Sequence, residues 1–131
     1  MTLAKTLTER PEVTLGCLNS TGSDIAAGVC VTGTEDAITL PGANQTDPIL
    51  GITRSIIKNG SRGPVMIRGK AIAVAGAAGV GTAGDRVGYE ASTGLVVTYS
   101  GAHSQIGVAR YAAATTVSTE VELLGPGATG A

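Results

Sequence analysis

The sequence contains an internal repeat with a constant offset of 56 residues, and this repeat restricts the possible folds more than any motif does. Residues 50–54 (LGITR) recur as residues 106–110 (IGVAR), and Gly28 recurs as Gly84. The same offset relates Val31 to Val87, Leu40 to Val96, residues 65–67 to 121–123, and Gly69 to Gly125. Two copies of a unit too short to bury its own apolar face predict one domain made of two similar β-units.

Short apolar segments separated by Gly and Pro predict an all-β fold. Glycines that recur with the repeat indicate bends or close backbone contacts in strands. We expect a strand at 25–31 and separate strands at 65–68 and 70–74. The length of 131 residues suits one domain. We predict an extended N-terminal arm outside the repeat, a compact β-barrel or β-sandwich-like domain built from two pseudo-repeats, and a flexible tail, at residues 1–20, 21–126 and 127–131.

The apolar residues of this chain are small. There are 20 Gly, no Phe, no Trp and three Tyr, namely Tyr89, Tyr99 and Tyr111. Small side chains each bury little surface, at about 25 cal/mol per Å², so a lone protomer would be only modestly stable. We therefore expect an oligomer. The net charge is −1 with scattered signs, and the absence of a basic stripe argues against nucleic-acid binding.

The cysteines and the N-terminal residues predict synthesis in a reducing cytoplasm. Residues 1–10 are polar and lack the apolar segment of a signal peptide. We expect Cys17 and Cys30 to act as small apolar groups. The longest apolar stretch, residues 71–84, is too short and too rich in glycine to cross a bilayer, so we expect no membrane segment.

Three motifs resemble chemical sites, and none meets the requirements of its mechanism. Residues 79–84 (GVGTAG) match a dinucleotide fingerprint, but a strand-like segment follows where a helix N-terminus must hold the pyrophosphate. Lys70 follows a glycine as in a P-loop, but the spacing and the hydroxyl residue are wrong. His103, the single histidine, has neither metal-ligand spacing nor a nucleophile elbow around it. We therefore expect no catalytic residue, cofactor or metal.

Four charged residues are candidates for contacts with a partner. Arg54 and Arg110 are the only charged residues whose sign matches across the repeat. Equivalent salt bridges, to a partner or around an assembly axis, and strand ends in solvent are equally compatible with this pattern. Glu120 and Glu122 flank an apolar residue and should share one face of a strand. That face is predicted to be solvated or to lie against a basic partner surface.

The order of these features resembles the capsid decoration, or cement, proteins of tailed phages. The shared pattern is Ile25-x-x-Gly28-x-x-Val31, then LGI at 50–52, an apolar segment with a glycine at 65–74, GDxV at 84–87, GLVV at 94–97, IGVA at 106–109 and VEL at 121–123. The resemblance covers residues 23–125. The chain departs from the family pattern because no aromatic residue is expected in its central strands.

The resemblance implies a structural virion protein rather than an enzyme. Such a protein would bind the outside of an icosahedral head as a homotrimer, bridge neighbouring subunits of the major capsid protein and stabilise the capsid. The family also implies an N-terminal arm that becomes ordered on the capsid, where an extended segment can add a strand to an exposed edge. The arm contacts would be Thr2, Leu3, Leu7, Arg10, Pro11, Val13 and Leu15. Possible subunit or capsid contacts are Arg54, Arg110, Glu120 and Glu122.

Two other classes of function are compatible with the sequence. A β-rich virion surface or adhesin module would recognise sugars, and the three tyrosines are the only aromatic platforms that it could offer. A small β-barrel hydrolase would need a clustered site, and His103 has no motif partners.

Overall fold

The computed structural model describes residues 12–42, 49–90, 92–99 and 106–123, and within them the protein is all-β. The nine strands in this part of the chain are β1 (Val13–Leu18), β2 (Cys30–Thr34), β3 (Ala37–Thr39), β4 (Gly51–Thr53), β5 (Arg62–Val74), β6 (Arg86–Tyr89), β7 (Val96–Thr98), β8 (Gly107–Ala109) and β9 (Ser118–Leu123). They form one curled antiparallel sheet in the order β3-β2-β4-β5-β9-β8-β6-β7, and β1 also pairs with β5. The predicted fold class is confirmed.

Most strand pairings recur in the two halves at the offset seen in the sequence. β2 and β4 pair Cys30 with Ile52, and β6 and β8 pair Arg86 with Val108, which are the residues 56 positions later. The pairings of β4 with β5 and of β8 with β9 keep this relation. The sequence repeat is therefore a repeat of backbone hydrogen bonds.

β3 and β7 are the exception, because Thr32 pairs with Thr39 and Gly88 pairs with Val97, which relates these two strands by 58 residues. The expected match of Leu40 with Val96 is therefore wrong.

The long strand β5 belongs to both halves. Its first part pairs with β1, where Gly16 lies opposite Pro64, and its second part pairs with β9, where Ile72 lies opposite Glu120. These pairs are related by the repeat offset, so β1 is the counterpart of the second part of β5. We expected separate strands on either side of Gly69 and expected residues 1 to about 20 to fall outside the repeat. Instead, Gly69 continues the strand at a φ of 103°, and the repeated pairing begins at Thr14, since Thr14 pairs with Met66 as Lys70 pairs with Glu122.

Each half curls until its first and last strands meet. Asn19, directly after β1, forms a parallel bridge to Ile38 in β3, and Ala75, directly after β5, forms the corresponding bridge to Val96 in β7. The first curl encloses a core of Cys17, Ile25, Val29, Val31, Ile38, Ile57 and Val65. This arrangement agrees with the predicted barrel-like domain built from two pseudo-repeats.

The core of the second half extends into the first. One buried cluster contains residues of β6, β8 and β9 together with four first-half residues, which are Cys30, Ile49, Ile52 and Met66. Tyr89 in β6 belongs to this cluster and is the largest fully buried side chain of the described residues. The strands in the middle of the sheet, β5 and β9, contain no aromatic residue, as expected, and Tyr89 lies in β6, next to the terminal strand β7. The ring of Tyr89 fills space that the small side chains around it leave.

Candidate functional site

The residues considered for catalysis are not gathered into a site in the described part of the chain. Residues 79–84 form turns that lead directly into β6, so a strand follows the glycines, as predicted, and no helix N-terminus faces them. Lys70 is exposed on β5 opposite Glu122. His103 lies outside the described residues. Across residues 12–42, 49–90, 92–99 and 106–123, no three His, Cys, Asp or Glu side chains lie close enough together to hold a metal ion.

The two cysteines are free and buried, as predicted for small apolar groups. Burial raises the pKa of the Cys17 thiol, and the nearby carboxylate of Glu35 raises it further. Burial alone raises the pKa of the Cys30 thiol far above its usual range. Both groups therefore stay protonated near neutral pH and are poor nucleophiles.

The part of the chain that the structure describes contains no helix long and apolar enough to span a membrane.

Two of the predicted arm residues lie inside the sheet. Val13 pairs with Arg68 and is 37% exposed, and Leu15 is half-buried against the first-half core. Backbone pairing with β5 holds both residues in place, so the domain includes β1 and begins before residue 21. The other five arm residues, Thr2, Leu3, Leu7, Arg10 and Pro11, lie outside the described residues, as does the predicted tail.

Arg54 and Arg110 occupy equivalent positions, directly after β4 and β8. The backbone N–H of Arg54 donates to the carbonyl of Pro64 at 3.0 Å, and that of Arg110 donates to the carbonyl of Glu120 at 2.7 Å. Their side chains differ in partner. Nη1 of Arg54 donates to Oγ1 of Thr14 at 3.4 Å, whereas Nε of Arg110 lies 3.8 Å from Oε1 of Glu120. Both arginine side chains are exposed. An exposed ion pair such as that of Arg110 with Glu120 contributes little to stability.

Three large apolar side chains are exposed around β9, next to the pair of Arg110 and Glu120. Ile72 is 59% exposed, Tyr111 60% and Val117 50%. Ile72 lies opposite Glu120 in the sheet, and Val117 directly precedes β9. The carbonyl of Tyr111 accepts a hydrogen bond from Oγ1 of Thr119 at 2.7 Å.

Glu120 and Glu122 share one face of β9, as the sequence predicted. Both are half-buried, and Val121 between them is fully buried. The face that carries the carboxylates is therefore the outer face of the second half. Of the three tyrosines, Tyr89 is buried, Tyr99 is half-buried and Tyr111 is exposed. The ring of Tyr111 is the most accessible aromatic surface among them.

The first half has small residues where the second half exposes these three large apolar side chains. The positions equivalent to Ile72, Tyr111 and Val117 are Gly16, Ser55 and Ser61, and all six residues are exposed. The backbone thus presents these positions to solvent in both halves, and the large side chains of the second half are not needed for the core. Sequence reasoning missed these apolar side chains, although the change of residue type between the two copies was their signal.

Comparisons with known proteins give a likeness of fold. No protein-family model matches the sequence, and no curated protein matches it. The structure is similar to the crystal structure of the head fiber gp8.5 N base of bacteriophage phi29, with a TM-score of 0.63 and 13% sequence identity. The match covers 86% of this chain and 94% of that chain. The two proteins therefore share their fold over nearly their whole length. The matched protein is a head fiber, so the resemblance to decoration proteins stays a prediction.

Proposed function

We propose that this protein is a structural component of a phage virion that binds the outer surface of the head. The fold shared with the head fiber N base, over 86% of this chain, is the observation that carries this proposal. The motif order that resembles capsid decoration proteins supports the same location from the sequence. The structural likeness and the sequence resemblance thus both concern proteins of the phage head.

In this proposal the protein acts by binding, as a homotrimer that bridges neighbouring subunits of the major capsid protein and stabilises the shell. The exposed apolar side chains of Ile72, Tyr111 and Val117 support a role in binding, because exposed apolar surface is common at contact sites. Three linked copies on a symmetric shell would add their individually modest contacts, which raises the overall affinity without any new contact. Residues 2–11 are proposed as the arm that reaches the capsid.

Deletion of residues 2–11 tests the arm, because it removes the proposed contact segment and leaves β1 paired with β5. We expect the urea unfolding midpoint to stay at its wild-type value, since Val13–Leu18 remains in the sheet. We expect binding to heads that lack the protein to be lost in a co-sedimentation assay with heads of the encoding virus. A matched variant with residues 2–11 replaced by a Gly/Ser segment of equal length separates the effect of side chains from that of length.

The outcomes distinguish the arm from the function. If the deletion variant occupies heads at the wild-type level, the arm is not the contact, and another surface binds the capsid. If the full-length protein neither co-sediments with heads nor appears as added density on them by electron microscopy, the proposed function itself is wrong. If the Gly/Ser variant binds like the wild type, the arm side chains do not contribute.

A further inference from the structure

The loop that follows Ile57 in the first half contains the single Asn-Gly pair of the sequence, Asn59 and Gly60. In such a pair the backbone nitrogen of the glycine can attack the side-chain carbonyl carbon of the asparagine, because glycine has no Cβ to hinder the approach. A C–N bond closes a succinimide ring, and the side-chain nitrogen leaves with the amide proton as ammonia. Water then opens the ring at either carbonyl and gives aspartate or isoaspartate. Both residues are exposed, so water reaches them.

The fold restrains the nitrogen that would attack. The N–H of Gly60 donates to the backbone carbonyl of Asn19 at 2.6 Å, and Asn19 is fully buried. The nitrogen must lose its proton in order to react, so this hydrogen bond has to break first. Breaking it leaves the carbonyl of a buried residue without its partner, which is costly. The closed loop therefore disfavours the reaction.

The asparagine that would be attacked is fastened as well. Oδ1 of Asn59 accepts a hydrogen bond from the N–H of Gly22 at 2.9 Å, and the backbone N–H of Asn59 donates to Oδ1 of Asp24 at 2.9 Å. The N–H of Ser61 closes the turn by donating to the carbonyl of Lys58 at 3.0 Å. Side chain and backbone of Asn59 are thus both tied to residues 22–24, and neither can rotate into the ring geometry while these bonds persist.

The second half cannot undergo this reaction. Thr115 and Thr116 occupy the equivalent positions, and threonine has no side-chain carbonyl that a backbone nitrogen could attack. Every group that restrains Asn59 belongs to the first half. The reaction is therefore coupled to the opening of one particular loop.

We propose that Asn59 and Gly60 form a deamidation site that the closed loop protects and that reacts when the loop opens. The rate then follows the fraction of molecules in which the loop is open. In the isoaspartate product the backbone runs through the side-chain methylene, so the chain between residues 59 and 60 is one carbon longer. The N–H of Gly60 then no longer meets the carbonyl of Asn19, and the loop cannot close as before. The site would record the opening of the first half as a permanent covalent change, whether or not the proposed function is correct.

The first experiment compares the folded and the unfolded full-length chain. Both are incubated at mildly alkaline pH, the unfolded chain in concentrated guanidinium chloride, and peptide mapping by mass spectrometry gives the deamidated fraction at residue 59. We expect the folded protein to react at least about 10-fold more slowly, because only the open fraction is reactive. Equal rates in the two states would overturn the inference.

The second experiment loosens the loop at Asp24. Asp24→Ala removes the acceptor of the Asn59 N–H, and the loss of one hydrogen bond should raise the folded-state rate about 5-fold. The matched control Asp24→Asn keeps a side-chain oxygen as acceptor and should react like the wild type. Hydrogen exchange should become faster at the Gly60 amide of the alanine variant and stay unchanged at Val121 in β9, which separates local opening from global unfolding.

The remaining outcomes decide between protection and its absence. Faster exchange at Gly60 without faster deamidation would show that opening does not control the reaction, and the inference would fail. If Asp24→Ala does not fold, the comparison of the folded and unfolded wild type still decides. The isoaspartate form, made in denaturant and returned to native buffer, should unfold at a lower urea concentration than the wild type. Asn59→Asp should stay close to the wild type, because its backbone is unchanged and its carboxylate still accepts from Gly22. An isoaspartate form with the wild-type midpoint would refute the permanent change.

Discussion

The two halves of the molecule share their backbone pairings and fill their interiors in different ways. At three equivalent interior positions the first half has Leu15, Cys17 and Ile57, and the second half has Ala71, Ala73 and Ala113. The second half instead places Tyr89, the largest fully buried side chain, where the first half has Gly33. One ring therefore takes the volume that several aliphatic side chains take in the other copy. Repeated backbone geometry is compatible with quite different packing, provided that the volume is filled.

The halves also differ in how they fasten the loops at their ends. Asn19 is fully buried, and its amide nitrogen donates to the carbonyls of Ser23 at 2.7 Å and Ile57 at 2.8 Å. Its counterpart is Ala75, which cannot make such bonds. The second half uses an exposed residue instead, since Oγ1 of Thr115 donates to the carbonyl of Ala77 at 2.9 Å. The first half thus holds its loops from inside through Asn19 and also from the surface, where the N–H of Gly22 donates to Oδ1 of Asn59 at 2.9 Å.

The outer faces differ most in chemistry. The first half buries an apolar row against the second half, whereas the same row of the second half reads Arg86, Val108 and Glu122. In repeat architectures the last unit has a polar outer face, because no further unit covers it. The charged row of the second half therefore suits a face that no further unit of the described chain covers.

Replacement of Tyr89 by alanine should break the second half more than any other single change. The substitution removes the only aromatic ring of a buried cluster whose other members are alanines and larger aliphatic or sulfur-containing side chains, and it leaves a cavity in that cluster. Loss of a buried aromatic side chain costs about 3–5 kcal/mol. Urea denaturation should show a loss of this size, and Tyr89→Phe should lose far less because the ring remains. A loss below about 1 kcal/mol for the alanine variant would mean that the ring does not fill the core.

Substitution of the paired glycines tests whether the halves are equivalent in backbone packing. A Cβ at Gly51 would overlap the carbonyl oxygen of Met66, and a Cβ at Gly107 would overlap that of Glu122. Gly51→Ala and Gly107→Ala should each cost about 1–3 kcal/mol, because the backbone must shift to make room. The control is Gly16→Ala, since nothing lies within 4 Å of a Cβ there and the counterpart position already holds Ile72. Clearly unequal losses in the two glycine variants would contradict equivalent packing.

These glycines also explain why so much of the fold could be predicted from the sequence. The contacts around Gly51 and Gly107 leave no space for a side chain, so both copies keep the residue and the repeat stays visible. β1 could not be assigned in this way, because Val13–Leu18 and residues 69–74 share no identical residue. The two segments have in common only their backbone pairing and a buried residue at Cys17 and Ala73, and such likeness requires a structure.

The exposed residues around β9 could be predicted only in part. Arg110 was singled out because its charge recurs at Arg54, and Glu120 and Glu122 because they alternate with Val121. Ile72 and Val117 were missed, because an apolar residue in a strand is normally assigned to the core. A buried and an exposed apolar residue of a strand differ only in the side of the sheet on which the side chain lies. Once that side is known, the serines at positions 55 and 61 show that large apolar side chains are not needed at the equivalent positions of the second half.

The smallest expected effect concerns a turn that the two halves build with different residues. Gly60 has a φ of 82°, and its counterpart Thr116 has a φ of 65°, in the left-handed region that β-branched residues avoid. The left-handed conformation costs a non-glycine residue about 1–2 kcal/mol, and glycine returns about 0.4–1 kcal/mol of this through its freer unfolded state. Thr116→Gly should therefore stabilise the protein by about 0.5–1 kcal/mol in urea denaturation.

The reciprocal variant Gly60→Thr should destabilise the protein by about the same amount. Nothing lies within 4 Å of the added Cβ, so only the energy of the backbone conformation changes. If Thr116→Gly instead lowers the unfolding midpoint, the hydrogen bond from Oγ1 of Thr116 to the carbonyl of Thr115, at 2.6 Å, outweighs the strain, and the two turns are stabilised by different interactions.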